Sequence, residues 1–225
     1  MVITTRGIVL KFTRYRETSI ITNIFTEEVG LSTFIVNNVR SAKGKFKPSY
    51  FEPLSIIELT GYHHPDREIN RLNEIKVLAP MHSLRQDIYK SSIIIFLAEI
   101  LNKVIIEKDK NPELFNFLYQ ALTSFERLEE NNNFHLQFLL KMAGHLGFSV
   151  ENQEDFFNES NNQQFYLDAE NQDLFRRLNQ SPFSKPLRVD PQKRLIILND
   201  IIFYYQQHIG LSKLKSLEVL QTIFR

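Results

Sequence analysis

The chain has 225 residues, 43% of them hydrophobic and 24% charged, which places it among folded globular proteins of one large or two small domains. Twenty-seven Lys and Arg against 26 Asp and Glu leave a formal net charge of +1, so total charge points to neither nucleic acid nor a membrane surface, and any such signal must be local. The lack of cysteine excludes disulfides, cysteine-type zinc sites, iron–sulfur clusters and thiol chemistry.

The first elements are strands. Period-two patterning predicts strands over Ile3–Lys11, Ser19–Phe25, Leu31–Asn38, Leu54–Tyr62 and Ile69–Leu78, each bounded by turn-type residues. Gly30, after Glu28-Val29, permits the positive φ of a tight hairpin. Five strands in under 80 residues suit a small barrel of the OB type.

After Pro80 the period becomes 3.6. A long helix is predicted over Leu84–Glu107, apolar nearly all round from residue 93 to 101, as in the centre of a bundle. Asn111-Pro112-Glu113 combines a cap, a preorganised first position and a favourable charge, opening a helix to about Leu128. A third runs from Phe134 to Leu146, stopped by Gly147. From Phe148 to Asn179 clear periodicity is lost, and the segment reads as an inserted, partly ordered module anchored by Phe156, Phe157, Phe165, Tyr166 and Leu167. Asp190-Pro191-Gln192 opens a helix to about His208, closed by Gly210, and a last helix covers Ser212–Phe224. The expected fold class is α+β: an N-terminal five-stranded OB-fold barrel over residues 1–80, the nucleic-acid-binding domain, then an all-α helical bundle domain over 81–225 with an acidic insert at about 148–180. The longest apolar stretch, from Ile93 and broken by Glu99, is far short of the roughly 20 residues a bilayer requires. The N-terminus also lacks the features of a secretory signal, so a cytoplasmic protein without membrane association is expected.

Charge is segregated along the chain. Residues 1–50 hold eight basic and three acidic side chains, residues 151–175 hold seven acids and no Lys or Arg, and residues 176–225 hold nine basic against three acidic. Phosphate binding follows local Lys and Arg density rather than net charge.

No catalytic constellation is present. There is no phosphate-cradling Gly-rich loop, nucleophile elbow, paired-histidine zinc motif or dinucleotide fingerprint, so neither an enzyme nor a cofactor is expected. His63-His64 in a strand would point to opposite faces, which disfavours a metal site. His135 and His145 fall on different sides of one helix and read as surface or satisfied core histidines. What remains are two segments read as loops off the barrel: Lys11-Phe12-Thr13-Arg14-Tyr15-Arg16 and the run from Arg40 to Tyr50 that holds Lys43, Lys45, Phe46 and Lys47. Both interleave cations with rings, the combination that tracks phosphates and stacks exposed bases of single-stranded nucleic acid.

The runs Thr5-Arg6-Gly7-Ile8-Val9-Leu10-Lys11, Tyr15-Arg16-Glu17-Thr18-Ser19, Ile24-Phe25-Thr26-Glu27-Glu28-Val29-Gly30, Asn38-Val39-Arg40-Ser41, Lys45-Phe46 and Phe51-Glu52-Pro53-Leu54, in that order and spacing, resemble the start of the bacterial recombination mediator family RecO. The resemblance implies a DNA repair protein of the RecF pathway, nucleoid-associated, that binds single- and double-stranded DNA and anneals complementary strands. It also implies contact with the C-terminal tail of SSB, work with RecR to load RecA, a functional link to RecF, and no bond-making activity. On that reading Arg14, Arg16, Arg40, Lys43, Lys45 and Lys47 are phosphate contacts and Tyr15, Phe46 and Tyr50 stacking rings. Arg176, Arg177, Arg188, Lys193 and Arg194 form a second DNA candidate. Many family members carry a four-cysteine zinc module where this chain has its acidic stretch, so zinc is not expected there, and apolar anchoring takes its place. The alternative is a protein-only adaptor that scaffolds repair factors without touching DNA.

Overall fold

A computed structural model describes residues 1–41, 44–64, 67–106, 108–129, 132–150 and 152–224. The chain divides into two compact units, Met1–His82 with Leu97–Thr123, and Ser83–Phe96 with Ser124–Arg225.

The first unit is built on five strands, β1 (Val2–Tyr15), β2 (Ser19–Thr26), β3 (Gly30–Val36), β4 (Ile56–Tyr62) and β5 (Asn70–Ala79). They close in the order β1-β2-β3-β5-β4, the OB fold. All pairs are antiparallel except β3 with β5, where Phe34 meets Asn70 and Ile35 meets Arg71 in parallel. Alternation sends Val9, Ile20, Ile24, Phe34, Val36 and Leu59 into a shared core, and each such side chain removed from water contributes about 1.5–3 kcal/mol. Gly30 has φ +65, and a Cβ there would lie 2.4 Å from the Asp109 carbonyl oxygen. Both the turn and the close approach therefore require glycine.

β1 runs four residues beyond its predicted end. A bulge between Val9 and Lys11 shifts the register, after which Lys11 to Tyr15 continue pairing with Asn23 to Ser19. The segment Lys11–Tyr15, expected as a loop, is a strand whose near-continuous exposure and polarity hide its β character. Helical residues 97–104 and 112–123 cover part of the barrel's outer face. Phe25 meets Phe115 at 6.1 Å between centroids, and the Arg6 guanidinium lies 5.5 Å and 5.0 Å from the Phe115 and Tyr119 rings.

Among the described residues the chain after the barrel forms eight α-helices: α1 (His82–Gln86), α2 (Ile88–Val104), α3 (Pro112–Arg127), α4 (Phe134–His145), α5 (Gln153–Glu159), α6 (Ala169–Gln180), α7 (Pro191–Ile209) and α8 (Ser216–Ile223). No described helix is long and apolar enough to cross a membrane. The single helix predicted from Leu84 is broken at Asp87, whose Oδ1 accepts from the Tyr89 and Lys90 amides and starts α2 afresh; its predicted end, Glu107, lies outside the described residues. Asn111 and Asp190 cap α3 and α7 as expected, and Gly210 ends α7 at φ +63. The last helix is shorter than predicted, starting at Ser216.

The segment read as a partly ordered insert is instead folded. Asn152 and Asp168 accept from the amides of Glu154 and Glu170, capping α5 and α6, and Glu154, Asp155 and Glu170 occupy first turns where the helix dipole favours negative charge. Its rings form one cluster: Phe156 lies 4.5 Å from Phe175, Phe157 stacks on Tyr166 at 4.4 Å, and Tyr204 of α7 closes the group 5.1 Å from Phe156. Beneath it Asp200, fully buried, accepts from the Asn162 amide at 2.7 Å and the Tyr166 hydroxyl at 3.1 Å. Burial pushes its carboxyl above the usual range, against the hydrogen bonds that pull the other way.

His135 departs from expectation. It is 1% exposed, edge-on to Phe96 and 5.7 Å from Phe224, and its Nδ1 has no partner among the described residues. Burial, aided by the Arg194 charge, lowers the imidazole from 6.5 to about 3. Between those values the unfolded chain binds a proton that the folded chain refuses, so stability falls with acid across that window, by up to ~1.4 kcal/mol per pH unit. Urea denaturation of the wild type and His135→Phe from pH 7 to pH 4 is expected to show a shallower decline in the variant. Parallel curves would remove His135 as the cause.

Candidate nucleic-acid interface

The two basic segments meet at one end of the barrel. Arg16 ends the β1 side of the hairpin in the left-handed region, φ 50, and Asn38 has φ 60, a conformation costly for residues with a Cβ. Arg40 fastens these turns together. Its Nη2 donates to the Arg16 carbonyl at 2.7 Å and to the Glu17 carbonyl, and its amide donates to the Thr18 carbonyl at 3.0 Å. The Thr18 and Ser19 hydroxyls donate to Oδ1 of Asn38 and Asn37, at 3.2 and 3.1 Å. Arg40 thus organises the hairpin, with its guanidinium engaged by carbonyls.

The other expected residues divide. Arg14, Arg16 and Lys47 are exposed, and none of them has an ion pair among the described residues. The Arg16 guanidinium lies 5.2 Å from the half-buried Tyr15 ring, a cation–π contact that holds both groups at the rim. Lys45 donates to the Asn73 carbonyl at 3.0 Å and lies 3.5 Å from Glu74, an exposed pair of small energetic weight. Phe46 is a correction: it is 8% exposed and packs edge-on against Phe51 in the barrel core, so its ring anchors the loop and offers no face to a base. Tyr50, half-buried, packs on the same core. Lys43 lies outside the described residues.

The structure adds residues the sequence did not single out. Since Ile20, Ile24 and Phe34 face inward, alternation puts Thr13, Ile21 and Ile35 on the outer face, each opposite the next across β1, β2 and β3, and Arg71 of β5 follows beside Ile35. Helical residues close the far part of this face, where the Asn23 amide reaches Asn102 at 3.5 Å. Beside Arg71 a groove of about 700 Å³ is walled by Asn37, Asn38, Lys45 and Asn73 and floored by Leu72 and Phe46. Arg71 sits in a strand, and only the non-local parallel pairing of β5 with β3 carries it to the loops.

The second candidate cluster is mostly engaged. Arg176 and Arg177 both pair with Asp173, Arg177 at 2.9 Å, and Lys193 pairs with Glu170 at 2.9 Å. Arg194 is a correction: 8% exposed, it lies 4.9 Å over the Phe224 ring and donates to the Phe224 carbonyl at 3.2 Å. Burial lowers its pKa, and it is a helix-packing residue. Arg188 is exposed. The His63 ring is half-buried and held below its usual range by burial first, then by the N-terminal ammonium; Pro65 and Asp66 beside it lie outside the described residues. Among the described residues no three His, Asp or Glu side chains converge as a metal set.

Residues 1–81 match the family model for the N-terminal part of recombination protein O, and residues 85–218 the model for its C-terminal part. The DNA repair protein RecO of Flavobacterium psychrophilum is 35% identical over the whole of both chains. That of Flavobacterium johnsoniae is 33% identical, again over both whole chains, and that of Phocaeicola vulgatus 33% over 98% of each. With both halves matched and full-length likeness of this order, the chain belongs to the RecO family of DNA repair proteins.

Proposed function

We propose that this chain binds single- and double-stranded DNA through the loop end of its barrel domain, residues 1–80, and anneals complementary strands. In the same reading it works with RecR, in the RecF pathway, to load RecA onto SSB-coated single-stranded DNA, in the cytoplasm at the nucleoid, and makes or breaks no covalent bond. The observation that carries the reading is the exposed Arg14, Arg16 and Lys47 on the two basic segments that Arg40 ties together, beside a groove lined by Lys45 and Arg71. Annealing requires two anionic backbones to be neutralised together while bases stay free to exchange partners, and exposed cations beside an open groove suit that task.

In the helical domain, 81–225, a groove between α4, α7 and α8 supports the SSB part of the reading. Its wall includes Leu195, Leu198, Leu220 and Phe224, an apolar bed fitted to a peptide with a non-polar end.

The test is strand annealing followed by fluorescence quenching of two complementary labelled oligonucleotides, with salt varied from roughly 50 mM to 200 mM. Protein-dependent annealing that fades steeply with salt is expected. Annealing no faster than the protein-free rate, with no DNA binding at low salt, would favour the protein-only adaptor.

A further inference from the structure

We infer that the end of the barrel opposite the basic loops binds an extended segment of a partner protein, one carrying both acidic and basic side chains, which pairs with a free edge of β3. Every residue of β3 from Gly30 to Val36 is matched by β2 on one side. On the other side β5 pairs with it only at Phe34 and Ile35, so from Gly30 to Thr33 that edge has no strand partner among the described residues. β5 does not run on beside it. Asn70, 5% exposed, accepts from the His64 amide at 2.9 Å, and the Arg67 amide donates to the His64 carbonyl at 3.1 Å, which folds the connection back on itself. An open edge presents backbone donors and acceptors in register for one more strand. The gap beside it is a groove of about 470 Å³, with Leu31 to Thr33 on one wall and His63, Asn70 and the 108–110 segment around it. Four strand residues at about 3.3 Å each give it about 13 Å of edge.

Charge selects the occupant. Glu28, Glu68 and Asp109 stand at this groove with Arg67, Lys108 and Lys110. All six are exposed, and none has an ion pair among the described residues. Equal numbers of each sign leave no net field to draw a polyanion, in contrast to the basic loop end, whereas a segment bearing both signs finds a complement for each. His63 adds a polar anchor. Its Nδ1 is buried without a hydrogen-bond partner among the described residues, and burial favours the neutral ring, so a peptide backbone group can complete it. Val2, Tyr62 and Ile69 are exposed at the same end of the barrel, Val2 directly opposite Tyr62, and offer apolar contact to what enters. Arg14 and Arg16 lie at the other end, so this site leaves the basic loops free.

The test is amide NMR of the full chain titrated with a synthetic peptide in which Val and Thr alternate with Lys and Glu. The cross-peaks of Leu31, Ser32 and Thr33 are expected to shift and their exchange with water to slow, while those of Arg14 and Arg16 stay in place. The same peptide N-methylated at alternate residues, which cannot complete a ladder, is expected to leave them unmoved, and an all-Glu peptide to bind more weakly. Arg67→Glu is expected to weaken the mixed peptide about two- to fivefold, the worth of one exposed ion pair. No shift with the mixed peptide, or equal shifts with its N-methylated form, would overturn the proposal. So would shifts of these amides on adding oligothymidylate, which would give the groove to DNA, or on raising the protein concentration alone, which would give it to a second copy. The peptide shifts in a protein that binds no DNA would overturn the DNA-binding reading and leave this one standing.

Discussion

Replacing Arg14, Arg16, Lys45 and Lys47 together by Gln is expected to lower single-strand affinity by roughly 10²- to 10³-fold near 0.1 M salt, and to reduce the slope of log K against log salt by up to about 2.8. Each single-strand phosphate contact adds about 0.7 to that slope, hence about fivefold in affinity at this ionic strength. Lys45 contributes least of the four, because Glu74 and the Asn73 carbonyl already occupy it. Arg40 is left in place deliberately. Its guanidinium holds the Arg16 and Glu17 carbonyls, so removing it would unfasten the hairpin and confuse charge with geometry. Anisotropy titrations on a variant whose circular dichroism matches wild type read the result. An undiminished slope would move the site off the barrel, toward the region of Arg188.

Asp200→Ala is expected to destabilise the helical unit by about 3–5 kcal/mol, read as a lowered urea midpoint or Tm. The carboxylate is fully buried and accepts from the Asn162 side-chain amide and the Tyr166 hydroxyl. Truncation strands those donors without an acceptor, and each buried unsatisfied group costs about 1–3 kcal/mol; part is recovered because an isolated buried charge is also removed. Tyr166 belongs to the ring cluster of α5 and α6, so the loss should loosen residues 152–180 as a block. Asp200→Asn, which retains one acceptor, should cost less. A loss below about 1 kcal/mol for Asp200→Ala would mean that the rings alone hold this segment.

Sequence legibility differed by the kind of information involved. The barrel was readable because β2, β3 and β4 alternate around fully buried positions such as Ile24, Phe34 and Ile57. Capping chemistry located α3 and α7 to the residue, since Asn111 and Asp190 announce themselves beside Pro. Asp87 was overlooked because an apolar period runs on both sides of it, and a cap in mid-pattern looks like an ordinary exposed residue. Helices α5 and α6 escaped for the opposite reason. Their exposed faces are so rich in Asn, Gln and acid that the caps Asn152 and Asp168 do not stand out, Phe156 reads as an isolated anchor, and the buried Leu174 and Phe175 show no period.

At the candidate interface the composition of the loops was legible and their orientation was not. Phe46 and Arg194 have the residue types of a surface site yet point inward, a choice set by partners distant in sequence, Phe51 with the barrel core and Phe224. Arg71 shows the converse: an ordinary strand residue becomes part of the site through one parallel pairing.

That pairing has a mechanical side. The barrel is closed between β3 and β5 by Phe34 against Asn70 and Ile35 against Arg71, a far shorter seam than the seven or eight residue pairs that join β1 to its neighbours. A cylinder opens where its stitching is shortest, so this seam is where local opening is cheapest. A ligand laid across that face from β1 to β5 would cross it and act as a splint, coupling occupancy to the integrity of the sheet beneath. By mass action a ligand held only by the closed form adds about 2.7 kcal/mol to its stability at one hundred times the dissociation constant, so on this geometry the barrel is firmest while it is loaded and most yielding after release.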